Sequence, residues 1–224
     1  MDLILGSRTR GTHLISSAMA ESSRAGSGPG VLVSGSAIGF YGDRSEEPLD
    51  ETSPRGGGFL ADVCVAWEAA TRAAETAGVR VAHARTGIVL SPLGGLLGAQ
   101  LPLFRLGLGG PVGPGTQWMS WISLRDEVSA LCWLIDNEVC GPVNLVTPEP
   151  VTNAGFAASL GRAVRRPARL RTPASVPAVP FGRRLVAELM LSSAVVHPTV
   201  LREGGFIFAD VCLDDALRSE LELT

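Results

Sequence analysis

The chain has 224 residues, enough for one domain with an appendage and a sizeable core. With 46% hydrophobic and 18% charged residues it is not a disordered chain, and a net charge of −3 spread along it offers no basic face to a nucleic acid. All 19 basic side chains are arginine, so a Schiff-base lysine, a P-loop lysine and a Tyr–Lys dyad are excluded, and Tyr41 is the single tyrosine.

In chain order, residues 8–24 suit a helix with Leu14, Ile15, Ala18 and Met19 on one stripe, ended by the Gly/Pro run 26–30. VLVSGS (31–36) reads as a buried strand with a polar loop behind it. Residues 59–77 place Phe59, Val63, Ala66, Trp67, Ala70, Ala74 at a spacing of three or four, with Gly78 as a helix stop. The run 79–90 reads as a second buried strand, 96–106 as a short helix and the Gly/Pro-rich 107–115 as a loop.

WMSWIS (118–123) leads to Ser123 and Asp126, a capping-box pair that opens a helix to residue 137. VNLV (143–146) is a third buried strand, and Thr152 or Asn153 caps a helix through residue 164. Prolines at 167, 173, 177 and 180 mark a boundary between a unit at 1–165 and a smaller one at 166–224. Beyond them the pattern predicts a helix over 181–191, a Pro198-initiated helix ending near Gly204, a short strand at 206–208 and a last helix from Asp214. Buried strands alternating with helices imply an α/β fold with a parallel sheet, although three strands are few for a doubly wound one.

Cys64, Cys132, Cys140 and Cys212 show no C-x-x-C spacing, which leaves a zinc site unsupported and suits buried free thiols in a reducing cytoplasm. The N-terminus has too short an apolar run for a signal peptide. The longest charge-free runs, 86–104 and 106–124, are interrupted by Gly and Pro, and no membrane segment is expected.

Ser34 to Asp43 is a small, hydroxyl-rich stretch directly after a strand, at the edge where open α/β sheets bind ligands; a tight Gly-rich exit turn explains it equally. A nucleophile elbow needs G-x-S-x-G, and the glycines around Ser36 are wrongly spaced for it. Gly94, Gly95 and Gly98 lack the spacing of a dinucleotide fingerprint and read as a loop. Trp118, Trp121 and Asp126 suit either core packing and capping or a substrate wall beside the Gly-rich loop. Arg85 ends a strand and serves either a surface bridge or an anion.

These segments together resemble a known family. SGSAIGFYGD is similar to the S-x-S-A-x-x-x-Y-G-D segment of extended short-chain dehydrogenases and nucleotide-sugar epimerases. SRTRGTHLISSAM, FLADVCVAWEAA, ARTGIVLSPLGGLL and HPTVLREGGFIFADVCLDDAL resemble the NAD-dependent epimerase/dehydratase-like subgroup with a small DUF1731-type C-terminal domain. The resemblance implies a partial Rossmann-like sheet, because the family's first strand and GxxGxxG turn precede the helix with which this sequence starts. It implies an exposed sheet edge capable of self-association.

The resemblance also implies NAD or NADP as cofactor, with Gly35, Arg85, Thr86 and Gly87 on the cofactor side. Trp118 and Trp121 would shape the side of a small polar or sugar-like substrate. Ser36 falls on the family's catalytic serine, which hydrogen-bonds the reacting oxygen. Aligning the family's Glu on Glu68 puts Cys64 at the dyad's Lys and Leu60 at its Tyr, which leaves Tyr41 as a substitute acid. Three readings follow: an NAD(P)-linked oxidoreductase or epimerase, a non-catalytic nucleotide-binding or scaffolding module, and an inactive fragment of a longer enzyme.

Overall fold

The computed structural model describes residues 2–171, 188 and 191–222. The expected helix over 181–191 and most of the proline-rich boundary lie outside the described residues. The core is a three-stranded parallel sheet of β1 (Val31–Ala37), β3 (Arg80–Thr86) and β7 (Gly141–Leu145), in the order β1-β3-β7. The third strand begins two residues before the expected one.

Alternation of side chains divides the sheet's two faces. Val33, Ala82, Ala84, Val143 and Leu145 pack with Ala130 and Leu134 of α5 (Leu124–Asp136) and Leu201 of α7 (Thr199–Glu203). On the opposite face Leu32 and Val81 meet Met19 of α1 (Asp2–Arg24) and Ala74 of α3 (Arg72–Thr76). The same face carries α2 (Phe59–Ala69) against β1. Among the described residues β1 pairs only with β3, so its other edge is bare. Leu14 and Ile15, expected on the buried stripe of α1, are 69% and 56% exposed, and it is Ser16, Met19 and Ala20 that face inward.

The expected helix 59–77 is two helices. The hydroxyl of Ser16 inserts at the break, donating to the Thr71 carbonyl (2.8 Å) and accepting from the Ala74 amide (2.9 Å). The expected strand 79–90 also divides, at Gly87. Its amide donates to Leu145 O of β7 (3.0 Å) while that of Ile88 donates to Ser120 O (2.9 Å), so the chain leaves the main sheet there. A Cβ at Gly87 would lie 2.6 Å from Val146 Cγ1 and 2.7 Å from Ser120 O, so glycine permits the crossing.

Beyond it, β4 (Ile88–Leu90) pairs with β6 (Trp121–Ser123), and β5 (Trp118–Met119) with β8 (Val151–Thr152). A second core lies under α4 (Gly95–Arg105), α6 (Asn153–Ala163) and α8 (Leu213–Glu222), built on Leu97, Leu101, Phe104, Trp121, Phe156 and Leu217. A two-residue pair joins β2 (Pro48–Leu49) to β9 (Val195–Val196). Residues 206–208 form no strand. Phe206 and Phe208 instead stack edge-on with each other (4.9 Å between ring centres), and Phe206 packs on Trp133 of α5 (6.2 Å). Among the described residues no helix is long and apolar enough to cross a membrane, and no group of residues could hold a metal ion.

Both predicted N-caps are present: Ser123 Oγ accepts from the Asp126 amide (3.1 Å), and Thr152 Oγ1 from that of Gly155 (3.1 Å). The reciprocal half of the capping box is not, because the Asp126 carboxylate accepts instead from the Ala209 and Asp210 amides. Ser123 is fully buried, so removing its oxygen leaves an amide without a partner and without water. Ser123→Ala is expected to lower unfolding free energy by about 1 to 2 kcal/mol in urea denaturation.

Candidate functional site

At the carboxyl ends of β1 and β3 the chain opens a cleft of about 490 Å³. One wall is the end of β1 and the turn after it, from Ala37 to Gly39, together with Thr86 at the end of β3 and Gly87 after it. Leu60, Val63, Cys64 and Trp67 of α2 form a second, and Leu96, Trp118 and Met119 close the far side. Cleft volume and apolar walls suit a small-molecule ligand, and the carboxyl edge of parallel strands is where such folds bind one.

Of the residues singled out from the sequence, Thr86, Gly87 and Trp118 line this cleft, whereas Gly35, Ser36, Tyr41, Arg85 and Trp121 do not. Trp121 is fully buried in the second core and donates its indole N–H to Glu149 O (3.0 Å). Gly35 has a packing role: a Cβ there would lie 2.8 Å from Trp67 Cζ2. Trp67 is further held by its indole N–H on Thr12 Oγ1 of α1 (2.9 Å).

Ser36, Tyr41 and Arg85 meet in a buried network behind the wall. Arg85 makes a two-point pair with Glu68 of α2, Nε to Oε1 at 2.8 Å and Nη2 to Oε2 at 2.9 Å. Its third nitrogen donates to the Tyr41 hydroxyl (3.1 Å), and its guanidinium lies 3.5 Å from the centre of the Phe40 ring. Tyr41 donates in turn to Asn144 Oδ1 of β7 (2.8 Å), and Ser36 donates to Glu68 Oε1 (2.7 Å).

The protonation states follow from these contacts. Burial pushes the Glu68 carboxyl up, but the hydrogen bonds from Arg85 and Ser36 and the guanidinium charge outweigh it and hold Glu68 below its ordinary value. Burial raises Tyr41 above the ordinary phenol despite Arg85 beside it. Burial also carries the Cys64 thiol to about 11, so a thiolate is not available there at neutral pH. Tyr41 and Cys64 are therefore both weaker acids than the free side chains.

Sequence reading missed Glu127, Arg8 and Gln100. Glu127, on the first turn of α5, accepts from Thr86 Oγ1 (2.8 Å), and its other oxygen is buried with no partner among the described residues. Its neighbour Asp126 drew attention as a cap residue, and nothing in the spacing distinguished the second acid. Arg8 of α1 and Gln100 of α4 line the cleft, and only the fold brings them there.

A parallel sheet with helices on both faces and a cleft over its carboxyl edge defines a Rossmann-like α/β protein. No protein-family model matches the chain. An epimerase family protein of Mycobacterium tuberculosis is 44% identical over 212 residues, covering 94% of this chain and 68% of that protein. The crystal structure of human epimerase family protein SDR39U1 with NADPH superposes with a TM-score of 0.89 at 32% identity, covering 98% of this chain and 74% of that one. A nucleoside-diphosphate sugar epimerase from Corynebacterium glutamicum gives a TM-score of 0.80 at 35% identity, covering 98% of this chain but 42% of its own length. The chain belongs to the epimerase family that includes SDR39U1.

Glu127 gives the site a testable pH signature. Burial lifts its carboxyl from the ordinary 4.5 to about 7, against the opposing hydrogen bond from Thr86. Between those values the folded chain keeps a proton that the unfolded chain has lost, so stability falls as pH rises through the window. Glu127→Gln is expected to flatten that slope and to stabilise the protein at pH 8 by up to about 3 kcal/mol in urea titrations.

Proposed function

We propose that the chain is an NAD(P)-linked protein of the epimerase type, binding a small carbonyl or alcohol substrate in the cleft. The observation that carries this reading is the cleft's position at the carboxyl edge of parallel β1 and β3. The chain's own residues fit one end of a dinucleotide. Ala37 to Gly39 with Thr86 and Gly87 make a low wall on which the nicotinamide end would rest. The Gly-rich turn from β4 into α4, at Gly94 and Gly95, lacks the glycine spacing of a pyrophosphate cradle. When bound, the cofactor supplies hydride transfer; the residues here supply shape, exclusion of water and orientation.

Ser36 keeps a restricted role in this reading. A hydroxyl has one proton, and that of Ser36 is committed to Glu68. The side chain is buried and does not line the cleft, so its part is to hold Glu68 in place behind the wall rather than to meet the substrate. Tyr41 belongs to the scaffold, since it is fully buried and its proton is given to Asn144. Trp118 forms the substrate wall, and the cofactor-side roles expected of Gly35 and Arg85 pass to packing and to the buried pair.

A non-catalytic binding module is the second reading. It is favoured by Leu60 and Cys64 lining the cleft where the family resemblance puts a tyrosine and a lysine. Titration of the 224-residue chain with NADPH under heteronuclear NMR separates the readings from a failed site. Weak binding, on the order of 1 mM, with amide shifts at Gly39, Thr86 and Gly87 is expected. A folded chain whose spectrum NADPH leaves unchanged would contradict the cofactor assignment.

A further inference from the structure

The cleft's charge is as informative as its shape. Arg8 is its sole lining cation among the described residues, and Asp43 and Glu188 are its lining acids. Both acids already accept backbone N–H groups. Asp43 Oδ1 takes those of Ser45 (3.3 Å) and Ser193 (3.2 Å), and Glu188 Oε2 takes that of Leu60 (2.8 Å). Among the described residues no carboxylate pairs with Arg8. Its one side-chain hydrogen bond is a long contact to Ser7 Oγ (3.4 Å).

Arg8 is nevertheless held in place. Its guanidinium carbon lies 5.2 Å from the centre of the Trp67 ring, within range for a cation–π contact. That indole is fixed by Thr12 and needs Gly35 beneath it. The planar fork therefore stands over an immobile aromatic surface with its donors free for one anion. The apolar part of the lining includes Leu60, Val63, Ile88, Leu96, Met119 and Trp118. Gln100, Thr86, Ser120, Asn153 and Ser192 add uncharged polar groups, and those of Thr86, Ser120, Asn153 and Ser192 are engaged with the protein.

We infer that the cleft takes a mainly apolar small molecule with a single anionic head, a carboxylate or a phosphate monoester, docked on Arg8 over Trp67. The inference rests on the proposed cleft-binding function and names its substrate class. A nucleoside diphosphate is a poor fit. Its several charges need several cations or a row of free N–H groups, and among the described residues the cleft has one guanidinium and two carboxylates. Most of the lining side chains are apolar and would leave much of its base and ribose without hydrogen-bond partners.

Quenching of tryptophan fluorescence reports on Trp67 and Trp118 directly. Four probes test the class on the full chain: 4-phenylbutyrate, its neutral amide, phenyl phosphate and UDP. The carboxylate is expected to bind at least about tenfold more tightly than the amide, as a charged hydrogen bond implies. Phenyl phosphate against 4-phenylbutyrate identifies which head is preferred.

Arg8→Met keeps the apolar stem and should abolish the carboxylate's advantage while leaving amide binding unchanged; Arg8→Lys should restore part of it. Circular dichroism confirms that each variant is folded, which the exposure of Arg8 favours. UDP binding more tightly than either single-headed probe, equal affinity for carboxylate and amide, or an advantage that survives Arg8→Met would each overturn the inference. Binding of none of the probes would do the same. Failure of NADPH to bind, with the carboxylate preference intact, would sink the cofactor reading and leave this one standing.

Discussion

The arrangement depends on one buried ion pair. Arg85 at the end of β3 and Glu68 on α2 leave water almost completely, with side chains 4% and 13% exposed. Such a pair survives only if its remaining donors and acceptors are also met. Here Tyr41 takes the third guanidinium nitrogen, and Ser36 donates to the carboxylate. The four residues come from β1, the turn behind it, α2 and β3, so the pair fixes α2, whose Leu60, Cys64 and Trp67 wall the cleft. Arginine suits the position because its fork meets both carboxylate oxygens at once; a lysine would satisfy one.

That choice has a chemical consequence. In a redox site built on a tyrosine, a nearby cation must lower the phenol's pKa. In this chain the cation is buried and neutralised by Glu68, the tyrosine is sealed behind the sheet, and the thiol on the cleft side of α2 is a weaker acid than free cysteine. The polar machinery has been turned inward to hold the wall, and the cleft is left apolar with one exposed cation at its rim. The other face of the sheet holds its own strained group: Glu127 has one oxygen on Thr86 and the other buried without a partner among the described residues.

Much of this architecture was legible in the sequence. The strand at 31–37, the Ser123 and Thr152 caps and the helices they open follow from local hydrogen-bond chemistry, which a short window contains. The break between α2 and α3 does not, because its cause is Ser16, over fifty residues away, replacing bonds within the helix. The aromatic cluster of Phe206 and Phe208 was misread as a strand for the same reason: an apolar triplet suits a strand or a packed loop, and Trp133 decides. For the site, residue type pointed to Ser36, Tyr41 and Arg85 as reactive groups. Burial and partners, invisible in one dimension, made them a scaffold. Arg8 reaches the cleft by the packing of α1 on α2, which no spacing rule anticipates.

A double-mutant cycle between Arg85 and Glu68 bears most directly on this arrangement. Arg85→Met and Glu68→Leu would each leave a buried charge alone, and each should cost about 3 to 5 kcal/mol of unfolding free energy. The double variant, with neither charge, should recover at least about 2 kcal/mol relative to the sum. Additive losses below about 1 kcal/mol each would contradict a buried pair that holds α2 to the sheet, and the cleft wall would need another support.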